Sequence, residues 1–291
     1  MSENNIYRNN ELIDFPSHSG HRVLALLSAC LLLLAGLACT SMGCGSQKAQ
    51  NAVCIAGSTS VEPFAEKLAE VYMHHNPNIR IDVQGGGSSA GIFAAEQGAA
   101  DLGASSRELI GKEKNLQEIP IAYDGIAIIV NKQNPLRNLS LKQIRQIFLG
   151  EITDWSQLNL PPHPIDIITR EEGSGTRNTF EEMVIGEHAE LTPMALVQDS
   201  NGSVREIVAN DPYAIGYISM GLVDSRVKAL SVDGIAPTRQ NVKSRNYKLV
   251  RRFLLVTKGL KPGSCQDFVN FILSGTGQSL LESEGLVGVE D

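Results

Sequence analysis

Short apolar runs alternate with runs of helical periodicity from about residue 51 onward. Residues 52–56 read as a strand, and 61–72 as a helix with Phe64, Leu68, Val71 and Tyr72 along one face. Thr59 followed three residues later by Glu62 fits a capping box for that helix, and Pro63 suits its first turn. Further strands are expected at 79–83, 100–104, 123–130, 165–169, 214–219 and 249–257, and helices at 90–97, 141–149 and 204–209. The run 123–130 lacks alternation, as a strand covered on both faces would. Residues 268–285 close the chain in helices. Strands alternating with helices define an α/β architecture with mainly parallel sheets.

The first fifty residues follow a different pattern. Residues 1–22 are polar, and 23–38, VLALLSACLLLLAGLA, carry no charge. Sixteen such residues are short for a membrane span and suit the core of a signal peptide. Cys39 follows at once, as in a bacterial lipoprotein signal. Gly36-Leu37-Ala38 departs from the usual box before a lipidated cysteine, and the better box, Leu27-Ser28-Ala29-Cys30, falls inside the apolar run. An uncleaved N-terminal anchor is the other reading. Both place the remainder outside the cytoplasm, in the periplasm or at the cell surface, and set residues 1–50 apart as an export segment and linker.

Composition narrows the chemistry. At 42% hydrophobic and 20% charged residues the 291-residue chain is globular in make-up. A net charge of −7, with no dense basic block outside residues 248–252, argues against general attraction to nucleic acid. Cys54 and Cys265, the two cysteines of the folded part, match no metal spacing; they could pair in an oxidising compartment or stand as two buried thiols. His74 and His75 are adjacent and cannot share a helix face. No metal and no cofactor are expected.

One design recurs: a strand, a turn rich in glycine and hydroxyls, then a helix. Gly57-Ser58-Thr59-Ser60 is the first such turn, Gly85-Gly86-Gly87-Ser88-Ser89 the second, and Gly173-Ser174-Gly175-Thr176, just after Arg170, the third. Asp199-Ser200-Asn201-Gly202-Ser203 is a related fourth piece. Helix starts present free N–H groups and a partial positive charge, and in open α/β sheets such turns gather at the carboxyl ends of strands. Several of them aimed at one point would surround a tetrahedral anion. Rival readings fare worse. The Gly85-x-Gly87-x-x-Ala90 match to a dinucleotide fingerprint is partial, and no P-loop motif exists. Gly173-Ser174-Gly175 is not a nucleophile elbow, and no histidine offers itself as its base.

Taken in order, AGSTSVEPF, VQGGGSSAGIFAAEQGAADLGASSREL, TREEGSGTRNTFEE and AIGYIS resemble the phosphate-binding protein of bacterial phosphate ABC importers, over roughly residues 52–285. The resemblance implies a type II periplasmic-binding-protein fold, two α/β lobes with mixed sheets and a hinge of crossing strands. Residues 52–126 plus 253–291 would form one lobe and 127–252 the other. It implies an inorganic phosphate ligand, a membrane permease as partner, a monomer, and no enzymatic activity. Carried over by position, Ser58, Thr59, Ser60 and Ser88 would donate from one lobe, and Ser174, Gly175 and Thr176 from the other, with Arg170 as the charged partner. Where many relatives carry an aspartate that accepts the phosphate proton, this chain has Ser106, followed by Arg107 as a further donor. Phosphate is expected over sulfate, but Ser106 leaves the source of that preference open. The alternatives are another tetrahedral oxyanion, such as sulfate or arsenate, or a phosphate-ester hydrolase. Cys39 is the expected lipid attachment point.

Overall fold

The computed structural model describes residues 51–289. The export segment, with Cys39, lies outside them. The strands are β1 (Ala52–Gly57), β2 (Arg80–Gly85), β3 (Leu102–Ser105), β4 (Gln117–Asn131), β5 (Asn138–Leu139), β6 (Asp166–Arg170), β7 (Leu196–Gln198), β8 (Ala214–Ser219), β9 (Val227–Ala229), β10 (Ser231–Val232) and β11 (Val250–Thr257). The helices are α1 (Glu62–His75), α2 (Ser88–Gln97), α3 (Leu141–Phe148), α4 (Gly175–Phe180), α5 (Asn201–Asn210), α6 (Arg239–Lys243), α7 (Ser264–Leu273) and α8 (Gly275–Ser283).

Nine strands form one sheet in the order β2-β1-β3-β11-β4-β8-β6-β7, with β9 also on β4. The pairing is mixed, as the resemblance implies, where the strand–helix alternation alone suggested mainly parallel sheets. β1 runs parallel to β2 and β3, and β6 parallel to β7 and β8, whereas β11 runs antiparallel to β3 and β4, and β4 to β8. β4 carries the architecture. Its first part, through Gly125, pairs with β11, and from Ile126 it pairs with β8. The apolar run predicted as 123–130 takes in the end of the first part and the fully buried Ile126 to Val130 of the second. The first part escaped notice because it alternates and contains Pro120. That proline lies opposite Leu254, where the β11 register shifts, a position at which a strand tolerates a missing N–H.

Two hydrophobic clusters flank this switch in pairing. One gathers α1, α7, β1 and the start of β4: Phe64 meets Phe253 at 6.0 Å between ring centroids, and Tyr72 meets Phe268 at 5.2 Å. The other gathers α3, α4, α5, β8 and the end of β4 around Phe148, Phe180 and Tyr217, whose last two rings stack at 4.0 Å. Burying each such ring stabilises the fold by about 1.5–3 kcal/mol. α3 opens on a capping box, with Ser140 and Gln143 each bonding the other's backbone amide. α1 does not. Its N-cap is Val61 with no side-chain cap, because the Ser58 carbonyl takes the Val61 and Glu62 amides and the Thr59 hydroxyl is engaged elsewhere.

α2 lies so close to the sheet that only glycine fits at the contact. A Cβ on Gly91 would lie 2.4 Å from the Ala56 carbonyl oxygen and 2.5 Å from the Gly57 Cα. Gly91→Ala should therefore lower the stability by about 1–3 kcal/mol in urea unfolding, through overpacking. Gly259→Ala, with open space around it, should leave the midpoint unchanged.

Candidate functional site

The turns named from the sequence meet. Backbone bonds tie them in series: the Gly87 amide donates to the Gly57 carbonyl at 2.9 Å, and the Ser89 amide to the Gly173 carbonyl at 3.1 Å. The third turn then packs on the second. A Cβ on Gly175 would lie 2.2 Å from Ser88 Oγ and 2.7 Å from Ser106 Oγ, so a side chain there would push the turns apart. Ser60 Oγ and Thr176 Oγ1 are 2.8 Å apart, although 116 residues separate them. Ser58 Oγ donates to Ser106 Oγ at 2.9 Å, and Ser88 Oγ accepts from the Ser106 amide at 3.0 Å. All of these side chains are buried.

Arg170, at the end of β6, is 1% exposed and spans the cluster. Its Nη2 donates to Thr59 Oγ1 at 3.1 Å and to the Asp199 carbonyl, and its Nε to the Gln198 carbonyl. The neighbouring Glu171 takes Nε and Nη2 at 3.0 Å each. Nη1 is buried and has no hydrogen-bond partner among the described residues. A guanidinium nitrogen left so is costly unless a further acceptor completes it.

The remaining predicted residues sit at the edge of this cluster. Ser174 caps α4, accepting from the Arg177 amide at 3.3 Å. Arg107 turns its terminal nitrogens to Glu113, at 2.7 and 2.9 Å, and to Ser89 Oγ at 3.1 Å. On Glu113, burial pushes the carboxyl up, but the Arg107 hydrogen bond, the Ile110 amide and the Arg107 charge together hold it below its usual value.

Three residues of the cluster were missed. Arg251 on β11 donates from Nη1 to Thr176 Oγ1 at 2.8 Å and from Nη2 to Ser60 Oγ at 3.1 Å. Its Nε donates to Asp124 on β4 at 2.9 Å. Asn201, opening α5, donates to Ser60 Oγ at 2.9 Å and to Thr59 Oγ1 at 3.2 Å. A signal existed for the pair: Asp124 and Arg251 are charges set inside apolar strand runs, and charges are buried only when paired. Burial holds the Asp124 carboxyl above its ordinary value, and Arg251, Ser219 and the Met220 amide offset part of that rise. Four N–H or O–H donors on one carboxylate keep it the charged partner of the guanidinium. The site thus balances two guanidinium groups, Arg170 and Arg251, against Glu171 and Asp124. Among the described residues no cluster of His, Cys, Asp and Glu fit to hold a metal ion is present.

Known proteins share this arrangement of chain. The family model of the PBP superfamily domain matches residues 45–276. The phosphate-binding protein PstS of Bacillus subtilis is 32% identical over 287 residues, covering 92% of this chain and 94% of its own length. A crystal structure of a phosphate ABC transporter substrate-binding protein from Clostridium perfringens, with bound phosphate, superposes with a TM-score of 0.80 at 43% identity, covering 82% of this chain and all of that one. An ABC-type phosphate transport receptor from Vibrio cholerae superposes at 0.68 with 36% identity, over 81% of this chain and 99% of its own.

The ion pair at the centre can be tested without any ligand. Asp124→Ala should cost about 3–5 kcal/mol in urea unfolding, since it strands a buried guanidinium. Adding Arg251→Met should restore part of that loss, because the stranded charge is gone.

Proposed function

Because the chain belongs to the PBP superfamily, and within it to the phosphate-binding proteins of ABC importers, we propose that it captures inorganic phosphate between two lobes and delivers it to a membrane permease. The single observation that carries the reading is Arg170 Nη1, a buried cationic donor with no acceptor among the described residues, in the middle of converging hydroxyls. An anion at that point would complete it. Thr59, Ser88 and Ser106 would supply donors from one side, and Arg170, Ser174, Gly175 and Thr176 from the other, with Ser60 handing its proton to Thr176 and Ser58 orienting Ser106.

The lobes would be residues 52–126 plus 253–291, and 127–252, with a large hydrophobic cluster centred in each and a smaller one under α2 in the first. β4 and β11 would be the crossing strands, so that closure brings Ser60 to Thr176. Micromolar capture corresponds to about −8 kcal/mol. Hydrogen bonds worth about 1 kcal/mol net each, with about 1.5–3 for charged ones, suffice to reach it after the cost of closure. No bond is made or broken in this scheme, and release follows reopening at the permease. Export through residues 23–38, with lipid attachment at Cys39, would hold the monomeric receptor at the outer face of the membrane. Among the described residues no helix is long and apolar enough to cross a membrane.

Two measurements check this reading. Phosphate should raise the melting temperature of the wild-type protein in proportion to the logarithm of its concentration. Arg170→Ala, shown folded by circular dichroism, should bind about tenfold to a hundredfold more weakly in calorimetry. A folded variant with unchanged affinity would place the site elsewhere. Turnover of a generic phosphate ester would instead favour a hydrolase.

A further inference from the structure

Arg107 is expected from the sequence as a further donor to the anion, and its bonds give it another task. The residue is 6% exposed. Both terminal nitrogens fork onto the Glu113 carboxylate, at 2.7 and 2.9 Å, so its charge is met without a ligand. Glu113 is fixed in turn, because its Oε2 also accepts the Ile110 amide at 2.9 Å. Beyond that pair, Nη1 donates to the Glu108 carbonyl at 3.0 Å and Nη2 to Ser89 Oγ at 3.1 Å. What these bonds hold is a pair of neighbouring serines. Ser106 lies in a closed loop, since the Arg107 amide donates to Ser105 Oγ at 3.2 Å and that hydroxyl donates to the Arg107 carbonyl at 2.8 Å. The Ser106 amide donates to Ser88 Oγ at 3.0 Å. Ser89, next along α2, is held at its amide by the Gly173 carbonyl and at its hydroxyl by Arg107. Ser88 and Ser106 therefore touch each other, and each is one residue from a point that Arg107 fixes.

We propose that Arg107 is a positioning residue: braced by Glu113, it clamps the start of α2 to the end of β3 and so sets Ser88 and Ser106 for phosphate, without touching the anion itself. The proposal rests on the phosphate reading above and adds to it how one side of the site keeps its shape. The guanidinium suits the task because it is a planar fork that bonds a carboxylate and two other chain segments at once, which an ammonium group cannot reproduce. Arg170 differs in where it reaches, since its Nη2 bonds Thr59 Oγ1 inside the cluster of hydroxyls. The rival reading is direct contact with the anion through Arg107 Nε, which is buried and has no hydrogen-bond partner among the described residues. The two readings predict opposite signs.

Calorimetry with inorganic phosphate separates them, on variants shown folded by circular dichroism. Glu113→Gln loosens the clamp and at the same time removes a negative charge close to Arg107. It should weaken phosphate binding about threefold to tenfold. Direct contact predicts unchanged or tighter binding, because a guanidinium freed of its carboxylate attracts an anion more strongly. Arg107→Lys keeps the charge and loses the fork, so it should bind phosphate within about twofold of Arg107→Met and well below the wild type. The effect should also run through the serine pair: in a Ser88→Ala background, Glu113→Gln should weaken binding by a smaller factor than it does alone. Wild-type or tighter affinity in folded Glu113→Gln, recovery of wild-type affinity in Arg107→Lys, or equal factors in the two backgrounds would each overturn the proposal while leaving phosphate capture standing. Absence of phosphate binding by the wild-type protein would overturn the phosphate reading and this proposal together.

Discussion

The fold turns on one buried ion pair between two strands. Asp124 on β4 and Arg251 on β11 face each other across the antiparallel ladder, at the end of its pairing and just before β4 changes partners. Burying either charge alone is prohibitive, and together they are tolerable only with further bonds. Those bonds run outward from Arg251 to Ser60, after β1, and to Thr176, opening α4. The same contact therefore satisfies a buried charge and draws together segments far apart in sequence. Arg170 repeats the pattern from the other side, with Glu171 as its counter-charge and Thr59 as its reach across the site.

Much of this site is written in local signals along the chain. Gly57 to Ser60, Gly85 to Ser89 and Gly173 to Thr176 announce turns, and each does sit between a strand and a helix. Arg170 was legible because a lone cation precedes a glycine-rich helix start. Asn201 lay within the fourth turn without being singled out, and the role of Arg251 was not legible because it depends on which strands become neighbours. β11 comes late in the chain yet lies between β3 and β4, a placement that no local pattern announces. Asp124 was hidden for a related reason: within an apolar run it reads as a blemish until its partner is known.

One expectation failed on competing physics, and the mainly parallel sheet suggested by the alternation alone gives way to the mixed sheet that the resemblance implies. Thr59 and Glu62 carry the spacing of a capping box, but the Thr59 hydroxyl serves Arg170 and Asn201 instead, and the Ser58 carbonyl opens α1. A buried guanidinium offers a hydroxyl a stronger bond than a backbone amide does. The sheet is mixed because β4 and β11 run antiparallel to each other and to their neighbours, although the βα alternation on either side of them is the pattern of a parallel sheet. Strands 15 and 8 residues long, carrying both hydrophobic clusters on one continuous sheet, are what a hinge between two lobes would need.

The central claim is that a phosphate is held inside the molecule by donors from widely separated segments of the chain. A crystal structure of the protein grown with inorganic phosphate tests it most directly. The account predicts the anion within about 3 Å of Arg170 Nη1, Thr59 Oγ1 and Thr176 Oγ1 at once. An ordered phosphate bound elsewhere, with Arg170 Nη1 still lacking an acceptor, would contradict it.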